Sequence, residues 1–207
     1  MSNNSNKLCV DLCSGLGGFS QAFVDARWEV IRIDNNPKFA EVPFTTVADV
    51  CDVDSIVEMI LKKGKPRVIL ASPPCNIFSV AGMAWGFPRV GVKKALEVVG
   101  ACLEIIARLE PGEWALENPR GMLRRIIGKP ATTVRYSDWN PKQPTQKPTD
   151  LWGNVRLPIA PMHRRPYSGR GQDAEWRRKW GNDPAKAAKV PLELSQAILT
   201  AVEGAPA

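Results

Sequence analysis

The sequence predicts an α/β fold: a doubly wound, mostly parallel sheet with a small irregular lobe. Three observations lead to it. Apolar runs of strand length alternate with stretches of helical spacing over the first two-thirds of the chain. The links between them are short, as in the repeated strand-helix units that build a parallel sheet. The rhythm then fails after Gly128, where proline and arginine accumulate.

The elements follow in order. Residues 8–12 form a first strand and 19–27 the helix after it. A second strand spans 28–33 and a short third spans 45–48. Residues 53–63 are amphipathic and helical. The run Val68-Ile69-Leu70-Ala71 reads as a buried parallel strand. Leu96, Val99, Leu103, Ile106 and Leu109 make a helical stripe over 95–109. Residues 114–116 form a fifth strand, and 120–127 a short helix. Pro141, Pro144, Pro148, Pro158, Pro161, Pro166 and Pro184 forbid long helices between 130 and 190. Regularity returns at 192–202, which has the spacing of a closing amphipathic helix. The expected organisation is a catalytic and cofactor-binding domain over 1–138, a reduced lobe over 139–189, and a C-terminal helix over 190–207 that packs back on the first domain.

Bulk properties restrict the function classes. No apolar run approaches a membrane span, and the polar N-terminus has no signal-peptide pattern. Five scattered cysteines without a CxxC pair, and a single histidine, make a zinc site improbable and predict no metal. The expected setting is reducing and cytoplasmic, with mostly free thiols. The net charge of +7 is uneven: residues 120–190 hold 16 Lys/Arg against 5 Asp/Glu. That basic third also carries Tyr136, Trp139, Trp152, Tyr167, Trp176 and Trp180, a mixture that suits a polyanion or a solvated basic face.

Four stretches carry chemistry. In Ser72-Pro73-Pro74-Cys75, two prolines stop a strand and stiffen the turn after it. The thiol is delivered at the carboxyl end of a strand, where ligands collect in open α/β sheets. It reads either as a nucleophile or as a small buried hydrophobe. Asp11 to Phe19 is a glycine-rich turn at the first strand-to-helix junction. Its glycines permit positive φ and close backbone approach. It lacks the third glycine of a dinucleotide fingerprint and any Walker lysine. Asp11 is placed to accept from an amino group, although a tight connection explains the glycines equally well. Asp34 ends the second strand, where a carboxylate can take both ribose hydroxyls. Asp49 follows the third, within reach of an exocyclic amine. Each alone also reads as a cap or turn residue. Glu117-Asn118-Pro119 closes the fifth strand and brings a carboxyl and an amide beside Cys75. Partial burial would raise the glutamate pKa and let it act as an acid near neutrality. Asn118 also reads as a helix cap, with Pro119 at the first helical position.

These residues resemble the cytosine-5 DNA methyltransferase family, particularly its short, phage-type members. The matching stretches are 11–19, 72–79, Glu117-Asn118 and 188–198, in family order across nearly the whole chain. The segment 147–154 is similar to one in phage-type relatives. The resemblance implies a Rossmann-like methyltransferase fold and S-adenosyl-L-methionine as cofactor. Asp34 and Asn35 would serve the ribose, and Asp49 and Val50 the adenine. Asp11, Cys13, Ser14, Gly15, Gly17, Gly18, Phe19 and Pro73 would complete that site. Cys75 would add to cytosine carbon 6, with Glu117 on ring nitrogen 3 and the amino group. Asn118 and Arg135 would assist, Arg135 against the target phosphate or ring oxygen. The target would flip out of the duplex, and residues 77–92 would close over it. The chain departs from the family at Cys13 (usually aromatic), Asn76 (usually glutamine) and Pro119 (commonly valine). Only about fifty residues, 139–189, are left for target recognition; within them Trp176 to Trp180 would pack on sugar and phosphate or form a helix face. The implied partner is DNA. RNA as substrate, a specificity-providing protein partner, and a non-catalytic DNA-binding subunit are the alternatives.

Overall fold

Seven strands form one sheet in the order β3-β2-β1-β4-β5-β7-β6. In this computed structural model the described residues are 7–78, 89–139, 148–158, 160, 183, 186 and 189–204. The strands are β1 (Leu8–Leu12), β2 (Glu29–Asp34), β3 (Thr45–Val47), β4 (Val68–Ala71), β5 (Glu113–Pro119), β6 (Thr132–Arg135) and β7 (Pro148–Gly153). The helices are α1 (Gln21–Asp25), α2 (Val53–Leu61), α3 (Arg89–Leu109), α4 (Leu123–Ile126), α5 (Tyr136–Trp139) and α6 (Leu192–Glu203).

β1 and β4 occupy the middle of the sheet, and all their residues are buried. Strands covered on both faces read as unbroken apolar runs, which is why Val68 to Ala71 was legible. Side chains alternate between two cores with the period of two that a strand imposes. Val10, Leu12, Ile69 and Leu116 face α2 and α3. Cys9, Val68, Leu70 and Ala115 face α1, α5 and α6. Strand order reverses between β1 and β4, so the crevice at their carboxyl ends is the switch point where open α/β sheets bind ligands.

Register makes that crevice level. Leu12 pairs with Ile33 on one side and Ala71 on the other, and Ala71 pairs with Leu116. The next residue on each strand is therefore in one row: Cys13, Asp34, Ser72 and Glu117.

The sheet is larger than the alternating pattern predicts. β7 runs antiparallel between β5 and β6. Residues 148–153 thus belong to the sheet, not to an irregular lobe. Pro148 opens the strand, where a missing N–H costs least. Gly153 ends it at φ +133°, and an added Cβ would collide with the Trp114 backbone. The helix expected over 19–27 is shorter, because Arg27 turns the chain at φ +59° into β2.

α6 returns against α1 through one buried hydroxyl. Ser195 Oγ donates to the Phe19 carbonyl (2.7 Å) and accepts from the Ala22 N–H (3.0 Å). That N–H lies in the first turn of α1 and has no intrahelical partner. Ser195→Ala leaves both groups unsatisfied and is expected to lower the unfolding free energy by about 1–3 kcal/mol in urea titrations. A change inside experimental error would mean that α6 is not held by this hydroxyl.

Candidate active site at the sheet switch point

The glycine turn is tied to β2 by a carboxylate. Asp34 accepts from the Gly15 N–H (2.8 Å) and the Asn36 N–H (2.9 Å). The Ser14 N–H bonds the Ile33 carbonyl at 3.1 Å, and the Gly17 N–H closes the turn on the Ser14 carbonyl at 2.8 Å. Cys13, Gly15 and Gly17 all take positive φ, at 57°, 51° and 68°. A carboxylate offers about four acceptor directions. Two remain on Asp34 after the backbone bonds, which is what a pair of hydroxyls needs.

Beneath the turn lies a cation that sequence reasoning missed. Arg32 is 1% exposed. Its Nε donates to Ser20 Oγ (2.9 Å), its Nη1 to the Pro43 carbonyl (3.0 Å), and its Nη2 to the Gly17 carbonyl (2.9 Å) and Gln21 Oε1 (3.2 Å). Ser20 Oγ in turn donates to Asp11 Oδ2 at 2.7 Å. Burial lowers the Arg32 pKa, and Asp11 pushes it back. The signal was present, since pairing β1 with β2 sets Asp11 directly against Arg32. Gly17 is glycine because a Cβ there would sit 2.6 Å from Arg32 Nε. Gly18 is glycine because its Cβ would sit 2.5 Å from the Val190 carbonyl, on the segment leading into α6.

The other expected cofactor residues divide. Phe19 is a correction: its ring is buried among Phe23, Trp28 and Leu194, which leaves its side chain no face for a ligand. Val50 is buried against the α2–α3 core. Asn35 and Asp49 are exposed, and Asp49 accepts from the Cys51 N–H (3.0 Å). Cys13 Sγ lies 4.0 Å from Cys102 Sγ on α3, and that contact, with burial, pushes the Cys13 thiol well up.

The cysteine turn is pinned from the neighbouring strand. The Ser72 N–H continues the β1 ladder to the Leu12 carbonyl (2.9 Å). Asn118 Nδ2 donates to the Pro73 carbonyl at 3.0 Å, wholly buried. Phe78, also buried, closes the turn on the Cys75 carbonyl (3.2 Å) and accepts from the Met122 N–H (2.9 Å). Cys75 itself is half-buried. Glu117 is buried and accepts from Tyr136 Oη at 3.1 Å. Burial, then the Glu117 charge, pushes the Tyr136 phenol well up, and Cys75 acts in the same direction. The thiol is therefore in electrostatic range of Tyr136, which bonds Glu117.

A second missed group is the Arg124–Asp150 ion pair, with Thr133 Oγ1 donating to Asp150 at 2.8 Å. Asp150 is the ladder partner of Asn118. Arg135 stands half-exposed at the end of β6 opposite Pro148. The closing loop expected over 77–92 falls largely outside the described residues, as do Trp176 to Trp180.

Among the described residues, six buried polar side-chain atoms find no partner; four of them, Asp11 Oδ1, Ser14 Oγ, Ser72 Oγ and Asn118 Oδ1, belong to these two turns and their strand ends. Buried polar groups are normally satisfied. Their concentration here fits a polar ligand that carries donors as well as acceptors.

Comparisons with known proteins find relatives of this chain. The family model for C-5 cytosine-specific DNA methylase matches residues 8–132. A protein of Frog virus 3 (isolate Goorha), named probable DNA (cytosine-5)-methyltransferase, is 34% identical over 149 residues, 59% of this chain and 70% of that protein. Type II methyltransferase M.AplI of Arthrospira platensis is 29% identical over 119 residues, 58% of this chain and 33% of that protein. A solved structure of an E. coli prophage protein, described as a DNA modification methyltransferase, shares the fold with a TM-score of 0.52 at 18% identity. It covers 73% of this chain and 48% of that one. The chain thus spans about half, or less, of two of these three proteins.

The buried carboxylate has a pH signature. Burial pushes the Asp11 pKa from 3.8 to about 6, against the pull of Ser20 and Arg32. The folded state then binds the proton more tightly than the unfolded chain. This contribution to stability is full below about pH 4 and is lost as pH rises through about 6. Asp11→Asn is expected to remove that downward slope from unfolding free energies measured by urea between about pH 4 and 7. An identical slope in the variant would assign the titration to another group.

Proposed function

The chain belongs to the C-5 cytosine-specific DNA methylases, and from that premise we propose that it methylates carbon 5 of cytosine in DNA from S-adenosyl-L-methionine through transient covalent addition of Cys75. The observation that carries this reading is the joint anchoring of the nucleophile and the acid. Asn118 holds the Cys75 turn by the Pro73 carbonyl, while the preceding residue on the same strand, Glu117, is bonded by Tyr136, whose phenol is in electrostatic range of the thiol.

Each residue has a task in this scheme. Cytosine carbon 5 is a weak nucleophile. Addition of the Cys75 thiolate to carbon 6 turns the ring into an enamine-like species, with carbon 5 electron-rich. Glu117 contacts ring nitrogen 3 and the amino group and limits charge build-up as the thiolate adds. Tyr136 keeps the Glu117 carboxyl oriented through its 3.1 Å bond. Once carbon 5 carries the methyl group, loss of its proton and expulsion of Cys75 would restore aromaticity. For this geometry the cytosine has to leave the stack.

The cofactor residues fit the group the family implies. When bound, S-adenosyl-L-methionine supplies an electrophilic methyl group on a sulfonium. Asp34 has acceptor capacity left for the ribose hydroxyls. Asp11 Oδ1 is an unused buried acceptor suited to an ammonium group. Ser14, Gly15 and Gly17 would contribute backbone, and Asp49, which is exposed, would meet the adenine amine.

Labelled S-adenosyl-L-methionine and cytosine-containing duplex test the activity, with transfer RNA as the parallel substrate. Wild type is expected to label the duplex, and Cys75→Ser to give none. Glu117→Gln is expected to reduce turnover by about 10²–10⁴-fold. Duplex carrying 5-fluorocytosine is expected to remain bound as a stable thioether, because fluorine cannot leave as a cation. Transfer retained by Cys75→Ser would remove the thiol from the mechanism.

A further inference from the structure

Two of the five cysteines meet beside the glycine turn, and a third stands in electrostatic range of them. Cys13 follows β1 and opens the turn, Cys102 lies on α3, and Cys51 sits between β3 and α2. The Cys13 and Cys102 sulfurs are 4.0 Å apart, although 89 positions separate the two residues in the chain. Cys51 is exposed, and the charge of Cys102 reaches it. Cys9 is buried in the opposite core, and Cys75 belongs to the other turn.

The touching pair is asymmetric. Cys102 is wholly buried in the α2–α3 core, whereas Cys13 is half-buried against it. A reagent therefore comes from the Cys13 side and finds a second sulfur behind the first. Contact with Cys102, then burial, pushes the Cys13 thiol well up, and Asp34 and Asp11 act in the same direction. Exchange needs a thiolate, so the pair reacts slowly, and its state is set by redox equilibrium, not by brief exposure.

Cys13 also controls the turn that follows it. Its φ is +57°, and the next N–H, that of Ser14, bonds the Ile33 carbonyl at 3.1 Å. One residue further, the Gly15 N–H bonds Asp34 at 2.8 Å. A disulfide holds its sulfurs about 2 Å apart. Closing one here draws Cys13 and α3 together, within two residues of both bonds to β2.

We propose that Cys13 and Cys102 form a reversible disulfide by exchange with glutathione disulfide, and that closing it weakens methyl-donor binding at the glycine turn. The first half stands on the sulfur contact; the second rests on the reading of that turn as the S-adenosyl-L-methionine site. The Cys13 thiolate attacks one sulfur of glutathione disulfide, forms a mixed disulfide and expels a glutathione thiolate, which takes up the proton that Cys13 lost. The Cys102 thiolate then attacks the Cys13 sulfur, the mixed bond breaks, and the second glutathione leaves and is protonated in turn. Two protein thiols lose two electrons, and one glutathione disulfide becomes two glutathione thiols.

The test uses full-length Cys75→Ser, in which the other half-buried thiol takes up no glutathione. The protein is equilibrated at increasing ratios of oxidised to reduced glutathione. Its intact mass is expected to fall by two hydrogens, and digestion to give one peptide pair joined through Cys13 and Cys102. Cys102→Ala in the same background is expected to lose that pair, and Cys51→Ala to keep it. Calorimetry with S-adenosyl-L-methionine compares the reduced and oxidised forms. Oxidation is expected to weaken binding by about 5–150-fold, the usual span of coupling between two sites. Coupling is reciprocal, so donor that saturates both forms is expected to raise the ratio needed for half-oxidation by the same factor. A chain that stays reduced across the series, glutathione left on Cys13, or Cys102 joined to Cys51 would each overturn the disulfide. Equal affinity of the two forms would overturn its effect on the donor. Reduced protein that binds no donor removes the cofactor reading and the second half with it, while the peptide pair decides the first half.

Discussion

The buried guanidinium of Arg32 is the constraint around which the cofactor side of the molecule is arranged. Withdrawing an unpaired arginine from water costs several kcal/mol (order of magnitude) unless its donors are satisfied. Here they are met from four directions: Ser20, Gly17, Gln21 and Pro43. These groups belong to the glycine turn, the start of α1 and the approach to β3. One side chain therefore fixes the relative positions of three segments. It also removes the freedom to vary Gly17, whose place beside the guanidinium leaves no room for a side chain.

The glycines of the turn therefore answer to packing as much as to any ligand. Gly17 yields space to Arg32, and Gly18 yields space to the Val190 carbonyl. Gly15 is different, because its N–H is held by Asp34 and an added Cβ would come no nearer than 4.0 Å to Phe39. Of the three, Gly15 is the one whose missing side chain meets no close neighbour. The polar atoms left without a partner at this turn are Asp11 Oδ1 and Ser14 Oγ.

What was legible in the sequence follows from burial. β1 and β4 are covered on both faces, so their apolar runs identify them without a structure. The residues after them were legible for the same reason, because a level register carries Cys13, Asp34, Ser72 and Glu117 to one edge. β7 was hidden because two of its central residues, Thr149 and Asp150, are polar and buried. Their burial is tolerated only because Arg124 and Thr133, distant in sequence, satisfy Asp150. Arg32 was hidden for a related reason: a charge within a strand signals an exposed face until its cross-strand partner is known. Phe19 misled in the opposite sense. Its place in a cofactor motif suggested contact with a ligand, yet its side chain is buried in the core cluster that α1 and α6 share.

β5 shows how one strand can serve two buried settings at once. Glu117 and Asn118 are consecutive, so the pleat sends them to opposite faces. Glu117 meets Tyr136 on the α5 side, while Asn118 reaches back to the Pro73 carbonyl under the cysteine turn. Both settings are buried, and each is stiffened by the strand beside it. Asn118 lies against Asp150, which Arg124 holds from α4, and α4 begins at the residue that bonds Phe78. The chain of contacts is closed: cysteine turn, Asn118, Asp150, Arg124, Met122, Phe78, and back to the Cys75 carbonyl. A loop of this kind holds a half-exposed thiol at a fixed distance from a buried acid without burying the thiol itself. That combination suits the nucleophile proposed above, which has to remain open to a large substrate.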